Sequence, residues 1–480
     1  ERYEVILSTE SNAMINVEEV TVSVDEFILP VRVGATYQLG NTYNKLGLER
    51  LQRSQFLRAE KKKDEAAARY EEALVDLNKS RDYFRTLAVD DRVEERTRVM
   101  AQYQMIQTSY QLKDYDQVIT EGDALLQNFP HSLYEASVYY DKAWSYFELE
   151  RYDDAIASFE QVLILAPRGS NADRSLFQIA ESYDKLERYD DALDYLDRLI
   201  ARYDFSQMTE EEIIEMTTLK LKGVVKETAR ELVAKAHLKK GDIYAEAGDV
   251  EKALAAYALL PAEYSAEPVL VQNSYIRTAE LVQKERGTQA AIAAYKNAIE
   301  KVEEKIFQAR TQLTVALMLF DEGEYLKSAD EYEIYLSAYG DVAQRIGFDR
   351  DKVLFRIAQC HQEHGRRIRG DDPDVADREI REALTRYDEL LRESEGSQLM
   401  PDVLFNAGFA NQLVKDDQAA QPLYQQLVAD YPEHPAAPNG LLQLARIDYA
   451  ASDLDAAEST YMSFLERFPE SDLRNTARME

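Results

Sequence analysis

Histidine, cysteine and carboxylate side chains most often ligate metals or move protons. This chain has five histidines, His131, His237, His361, His364 and His434, and one cysteine, Cys360. Only Cys360, His361 and His364 fall close together. Cys360 and His364 are four apart and share one face of a helix, a spacing that can hold a metal. A complete site needs ligands from another segment, and the spacing names none. The cluster therefore reads as a buried cysteine beside a polar loop edge. Asp and Glu number 89 and recur in "YDDA"-like stretches; at that density carboxylate pairs arise by chance and mark no catalytic dyad. No Gly-rich phosphate loop, Gly-x-Ser-x-Gly or His-Glu-x-x-His occurs. The expectation is a non-enzymatic protein with no cofactor, no metal and no small-molecule substrate. The alternative, a metal-dependent enzyme, would be decided by metal analysis.

Charge points the same way. Lys and Arg total 57, which leaves −32 over 480 residues. Excess anion repels nucleic acid and anionic lipid at long range, so neither is an expected partner. The plain reading is a large solvated helical surface. A lone cysteine excludes an internal disulfide and says nothing of compartment. No apolar run is long enough to cross a membrane, so no direct membrane insertion is expected. The chain opens at Glu1 without a basic-then-apolar segment, as a processed form or an excised fragment would.

The elements that must position any site are written in a repeat. "ELERYDDAIASFEQVL" begins at Glu148 and "KLERYDDALDYLDRLI" at Lys185. Ala143 and Ala180, Tyr146 and Tyr183, Ala155 and Ala192, and Pro130 and Pro167 are each 37 apart. Gly408 and Ala445, Tyr424 and Tyr461, and Pro432 and Pro469 keep the same metre near the other end. Such a period marks a helical array. Two amphipathic helices of about 14 residues with short turns fill it. Small residues let the paired helices approach, an aromatic fills the gap, and proline stops the second helix. "GDV" at Gly248–Val250 and "EGEY" at Glu322–Tyr325 supply turns.

This order of small, tyrosine, small, aromatic and proline resembles the tetratricopeptide repeat (TPR). The resemblance implies an all-α, right-handed superhelix (an α-solenoid) of about ten helix-turn-helix units. Their early small positions are Gly40, Ile106, Ala143, Ala180, Gly241, Ala279, Ala316, Ala358, Gly408 and Ala445. Ile106 departs from the small-residue rule, and Gly122 stands where its unit should carry an aromatic. In proteins of this kind the first helix of each unit lines a concave groove that binds other proteins. Carried onto this chain, the groove positions are Tyr103, Gln104, Gln107 and Tyr110, then Tyr140, Asp141, Trp144 and Phe147, then Phe177 and Glu181. Rigid aromatics interleaved with polar groups suit peptide binding; the same rings could equally pack between neighbouring first helices. A chaperone-type clamp for acidic tails needs an early Lys, and none of the ten equivalent positions is basic.

Interruptions divide the chain into an irregular or capping segment over 1–33, an array over 34–203, an inserted helix or linker over 204–233, and a second array over 234–480. Helices around 47–65 are expected to run on, and residues around 364–378 to form an inserted loop. Within 204–233, Ile213, Ile214, Met216, Leu219 and Leu221 suggest an extra helix or a docking arm. "NVEEVTVSV" alternates like a strand. A narrower resemblance rests on Phe/Tyr-Pro, two residues, then a small-residue run, as in "QNFPHSLYEASVYY" and "DYPEHPAAPNG". It is similar to bacterial cell-envelope TPR proteins, including the periplasmic coordinator of the Tol–Pal system and the Bam outer-membrane assembly lipoprotein. That implies a scaffold within a multi-subunit assembly, periplasmic or outer-membrane-associated in a Gram-negative bacterium; a cytoplasmic adaptor is the alternative. Further units, or a partner, are expected to cover the C-terminal end.

Overall fold

A computed structural model describes residues 14–17, 20–203, 209, 211, 212, 214, 228–394 and 396–480. The chain divides into two compact units, Glu1–Glu267 and Pro268–Glu480. Most of the 204–233 insertion, including Ile213, Met216, Leu219 and Leu221, lies outside the described residues.

The first unit opens with a two-stranded antiparallel hairpin. Met14–Val17 (β1) pairs with Val20–Ser23 (β2) in the register Met14 to Ser23. Five helix pairs follow: Val24–Ala59 (α1) with Lys63–Ala88 (α2), Glu95–Gln111 (α3) with Tyr115–Asn128 (α4), Glu135–Glu148 (α5) with Tyr152–Leu165 (α6), Ala172–Lys185 (α7) with Tyr189–Ile200 (α8), and Ala229–Glu246 (α9) with Val250–Glu263 (α10). The second unit has five more: Pro268–Arg286 (α11) with Thr288–Lys301 (α12), Lys305–Asp321 (α13) with Tyr325–Tyr339 (α14), Arg350–Ile368 (α16) with Pro373–Glu393 (α17), Met400–Leu413 (α18) with Asp417–Asp430 (α19), and Ala437–Ala450 (α20) with Leu454–Arg467 (α21). Short helices Ala343–Ile346 (α15) and Arg474–Met479 (α22) complete the described elements. Each unit is an α-solenoid segment whose core lies between successive pairs.

The small residues act as sockets for rings. A Cβ on Gly241 would lie 2.3 Å from the Tyr257 ring, one on Gly408 2.7 Å from Tyr424, and one on Gly40 2.7 Å from Phe84. Turns repeat as closely. Lys113, Glu150, Glu187, Gly248, Gly323, Lys415 and Ser452 take positive φ at the same place in seven pairs. There the backbone returns carbonyl acceptors to the chain, as from Asp114 N–H to Ser109 O at 2.9 Å.

The exceptional pair α3/α4 is resolved by its neighbour. Ile106 is fully buried. Gly122, in place of an aromatic, opens a gap that the Lys142 stem and Val138 of α5 enter, 2.9 and 3.2 Å from where a Cβ would stand. Lys142 then places its ammonium on Asp123. A large residue at the first position and none at the second conserve volume across the interface.

The expected inserted loop over 364–378 is instead mostly helix. α16 continues to Ile368 and α17 starts at Pro373, with Asp372 accepting the Val375 N–H at 3.1 Å. Arg-rich sequence extends the first helix, and Asp-Pro caps the second. The 1–33 segment likewise ends in helix, since α1 starts at Val24.

Candidate partner-binding groove

The first-helix residues form two clusters. In the first, Tyr103 stacks on Tyr134 with ring centroids 4.5 Å apart. Gln107, one turn along α3, donates to the Tyr103 hydroxyl at 3.1 Å and to Asp141 of α5. Tyr110 packs edge-on against Tyr115 at 5.7 Å, while Gln104 contributes its carbonyl to the Thr108 hydroxyl at 2.8 Å. Burial raises the Tyr103 and Tyr110 hydroxyls well above the usual tyrosine range.

Burial also pushes the Asp141 carboxyl up to about 7, against hydrogen bonds from Gln107 and Tyr103 that favour its charge. In the unfolded chain it ionises near ~4. Between those values the folded state holds a proton that the unfolded state lacks, so stability falls as pH rises through that window and levels off above it. Asp141→Asn cannot ionise. Its Tm advantage over the wild type should therefore grow from pH ~4 to ~7 and then stay constant. The full displacement corresponds to ~4 kcal/mol, and partial contact with water cuts this to about 1–2 kcal/mol. Thermal melts across that range check it; a pH-independent difference would contradict it.

The second cluster is a cleft of about 290 Å³ lined by Tyr140 and Trp144 from α5, Arg174, Phe177 and Gln178 from α7, and Leu232 and Lys235 from α9. Phe159 of α6 lies behind two of these rings, fully buried and edge-on to Tyr140 at 5.8 Å and Trp144 at 6.0 Å. Phe147 backs Trp144 from the side at 5.9 Å. The rings pack between helices, and Tyr140, Trp144 and Phe177 keep surface on the cleft. Glu181 sits beyond it in a charged cluster with Asp184 and Lys239, an ion pair at 2.6 Å. Burial holds the Glu181 carboxyl above its usual range, tempered by Lys239.

Sequence reasoning missed Arg174, Gln178, Leu232 and Lys235. Arg174 and Gln178 flank Phe177 at helical spacing, which is a signal that could have found them. Lys235 had none, because it reaches the cleft from beyond the insertion. At the other sequence cluster, the Cys360 thiol is buried 3.4 Å from the Ser328 hydroxyl, and burial pushes it up to about 11. His361 pairs instead with Glu379 at 2.9 Å. Among the described residues no group of three or more His, Cys, Asp and Glu side chains could hold a metal ion. No described helix is long and apolar enough to cross a membrane.

Sockets, turns and paired helices define a helical-repeat protein with an aromatic first-helix face. One tetratricopeptide repeat profile matches residues 140–207 and 222–268, and another matches 402–434 and 440–471. The chain carries tetratricopeptide repeats in both compact units. No curated protein matches it. It is similar to the C-terminal part of a TPR repeat-containing protein from Cytophaga hutchinsonii at 15% identity, covering 63% of this chain and 99% of that one, with a TM-score of 0.34. A tetratricopeptide repeat protein from Parabacteroides merdae matches at 11% identity over 66% and 99%, with a TM-score of 0.34. At these values the likeness carries nothing about partner or activity.

Proposed function

We propose that the chain is a non-enzymatic protein–protein interaction scaffold that holds a segment of a partner on the Tyr140–Trp144–Phe177 cleft. TPR proteins bind other proteins, and the observation that favours this cleft is its composition. Three aromatic walls, two of them backed by Phe159, share the cleft with Arg174, Lys235 and Gln178, which can fix orientation. That combination of aromatic anchors and a few polar groups is typical of binding hot spots. Trp144 is the only tryptophan of the chain, so its emission reports on this cleft alone.

In-cell crosslinking with mass spectrometry should recover partner peptides joined to residues 103–181. Titrating such a peptide should shift Trp144 emission, and Trp144→Ala should weaken binding by about 2 kcal/mol or more, some thirtyfold. Crosslinks confined to other faces, with Trp144 emission unchanged, would overturn the assignment. We place the assembly in a bacterial envelope; the Phe/Tyr-Pro phrase at 129–130 and 431–432 supports that placement. Cell fractionation tests it, and recovery with cytosolic complexes would favour the adaptor reading.

A further inference from the structure

The chain's charge is locally reversed within the first helix pair. "RLQRSQFLRAEKKK", residues 50–63, holds six cations and one carboxylate in a protein of net charge −32. These residues form the end of the α1/α2 hairpin. α1 has 36 residues and α2 has 26, where most other pairs are built from helices of about half that length. Pairing holds to the end: Ser54 donates to Ala66 O at 2.7 Å, and Leu57 and Ala66 are buried.

The hairpin outruns its neighbour. Asn44 donates to Gln111 at 2.9 Å and Arg81 to Asp114 at 2.9 Å, so these two residues are level with the turn of the α3/α4 pair. Residues 45–59 of α1 continue past that turn for about 20 Å. This exceeds twice the distance of ~8 Å over which physiological salt screens a charge. The acidic body beneath therefore weakens the field at the end only slightly.

Four cations there lack a carboxylate. Arg50 pairs with Asp76 at 2.5 Å and Lys62 with Glu60 at 3.1 Å. Arg53, Arg58, Lys61 and Lys63 make no ion pair among the described residues, and all four are exposed. Arg53 lies 4.9 Å over the ring of Phe56, which is itself 52% exposed, and Arg58 lies 5.4 Å over Tyr70. We propose that this hairpin end is a peripheral docking site for an anionic lipid surface, with the four cations meeting the headgroups and Phe56, under Arg53, entering the headgroup layer. A hairpin end is convex and offers a peptide no walls. A plane of headgroups meets the cations and the aromatic together, a combination that favours membrane interfaces.

Flotation with vesicles of phosphatidylcholine plus phosphatidylglycerol tests it on the full chain. The protein should bind these vesicles at low salt, release as salt rises, and ignore pure phosphatidylcholine. Replacing three cations together (Arg58→Gln, Lys61→Gln, Lys63→Gln) should weaken binding about a hundredfold, and Phe56→Ser should weaken it further. All four positions are exposed, so unchanged circular-dichroism melts will show that folding is intact. Absence of binding at low salt, equal binding to neutral vesicles, or equal binding by the triple variant would overturn the proposal. So would capture by polyglutamate without vesicle binding, which would mark an acidic protein as the partner.

Discussion

Gly241→Ala should destabilise the first unit by about 2 kcal/mol, although alanine is the better helix former. The added Cβ meets the Tyr257 ring at 2.3 Å. That ring cannot swing aside, because it is buried and its hydroxyl is held by Asp242 at 2.8 Å. The control is Gly34→Ala in α1, where nothing lies within 4 Å of the new Cβ. There the helix-propensity gain stands alone, and stability should rise by about 0.5–1 kcal/mol. Opposite signs for one substitution separate packing from propensity. Trimming the ring, as in Gly241→Ala with Tyr257→Leu, should recover part of the loss, and denaturant melts measure all three. Equal signs at the two glycines would sink the socket account.

The largest expected effect is at Phe159. It is fully buried and supports both Tyr140 and Trp144. Phe159→Ala should cost about 3–5 kcal/mol, combining lost burial with the cavity left behind. Because the packing behind Trp144 goes with it, Trp144 emission should shift to the red in the folded variant. Partner binding should fall even under conditions where the fold persists. Trp144→Ala makes the contrast: its ring is only half-buried, so stability should drop less while binding drops fully. Repeat arrays lose stability locally. Denaturation followed by hydrogen exchange should accordingly place the Phe159→Ala loss around 135–200 and spare the second unit. An even loss along the chain would contradict this.

The metre of 37, the socket-and-ring pairs and the glycine turns at Gly248 and Gly323 were all readable from the residues. Each is a local rule: a helix period, a Cβ too many, a positive φ. The groove positions on α3, α5 and α7 came from the resemblance to the tetratricopeptide repeat. Their company did not. Lys235 joins Trp144 in lining the cleft from beyond an insertion, and Arg174 counts only because α7 contributes to the same cleft as α5. Gly122 departs from the repeat pattern, and the Lys142 stem of the next pair fills the gap it leaves. The inserted loop over 364–378 proved to be two longer helices meeting in a short turn, because helix-forming arginines and an Asp-Pro cap outweigh the look of a charged, glycine-containing stretch.

By itself the sequence determined what each helix pair is and where it turns, because those outcomes depend on forces acting within a few residues. Only the tertiary structure decided which rings share a cleft, and which cations stand beyond the reach of the acidic surface. Contact and screening depend on distances in space, which sequence separation does not encode.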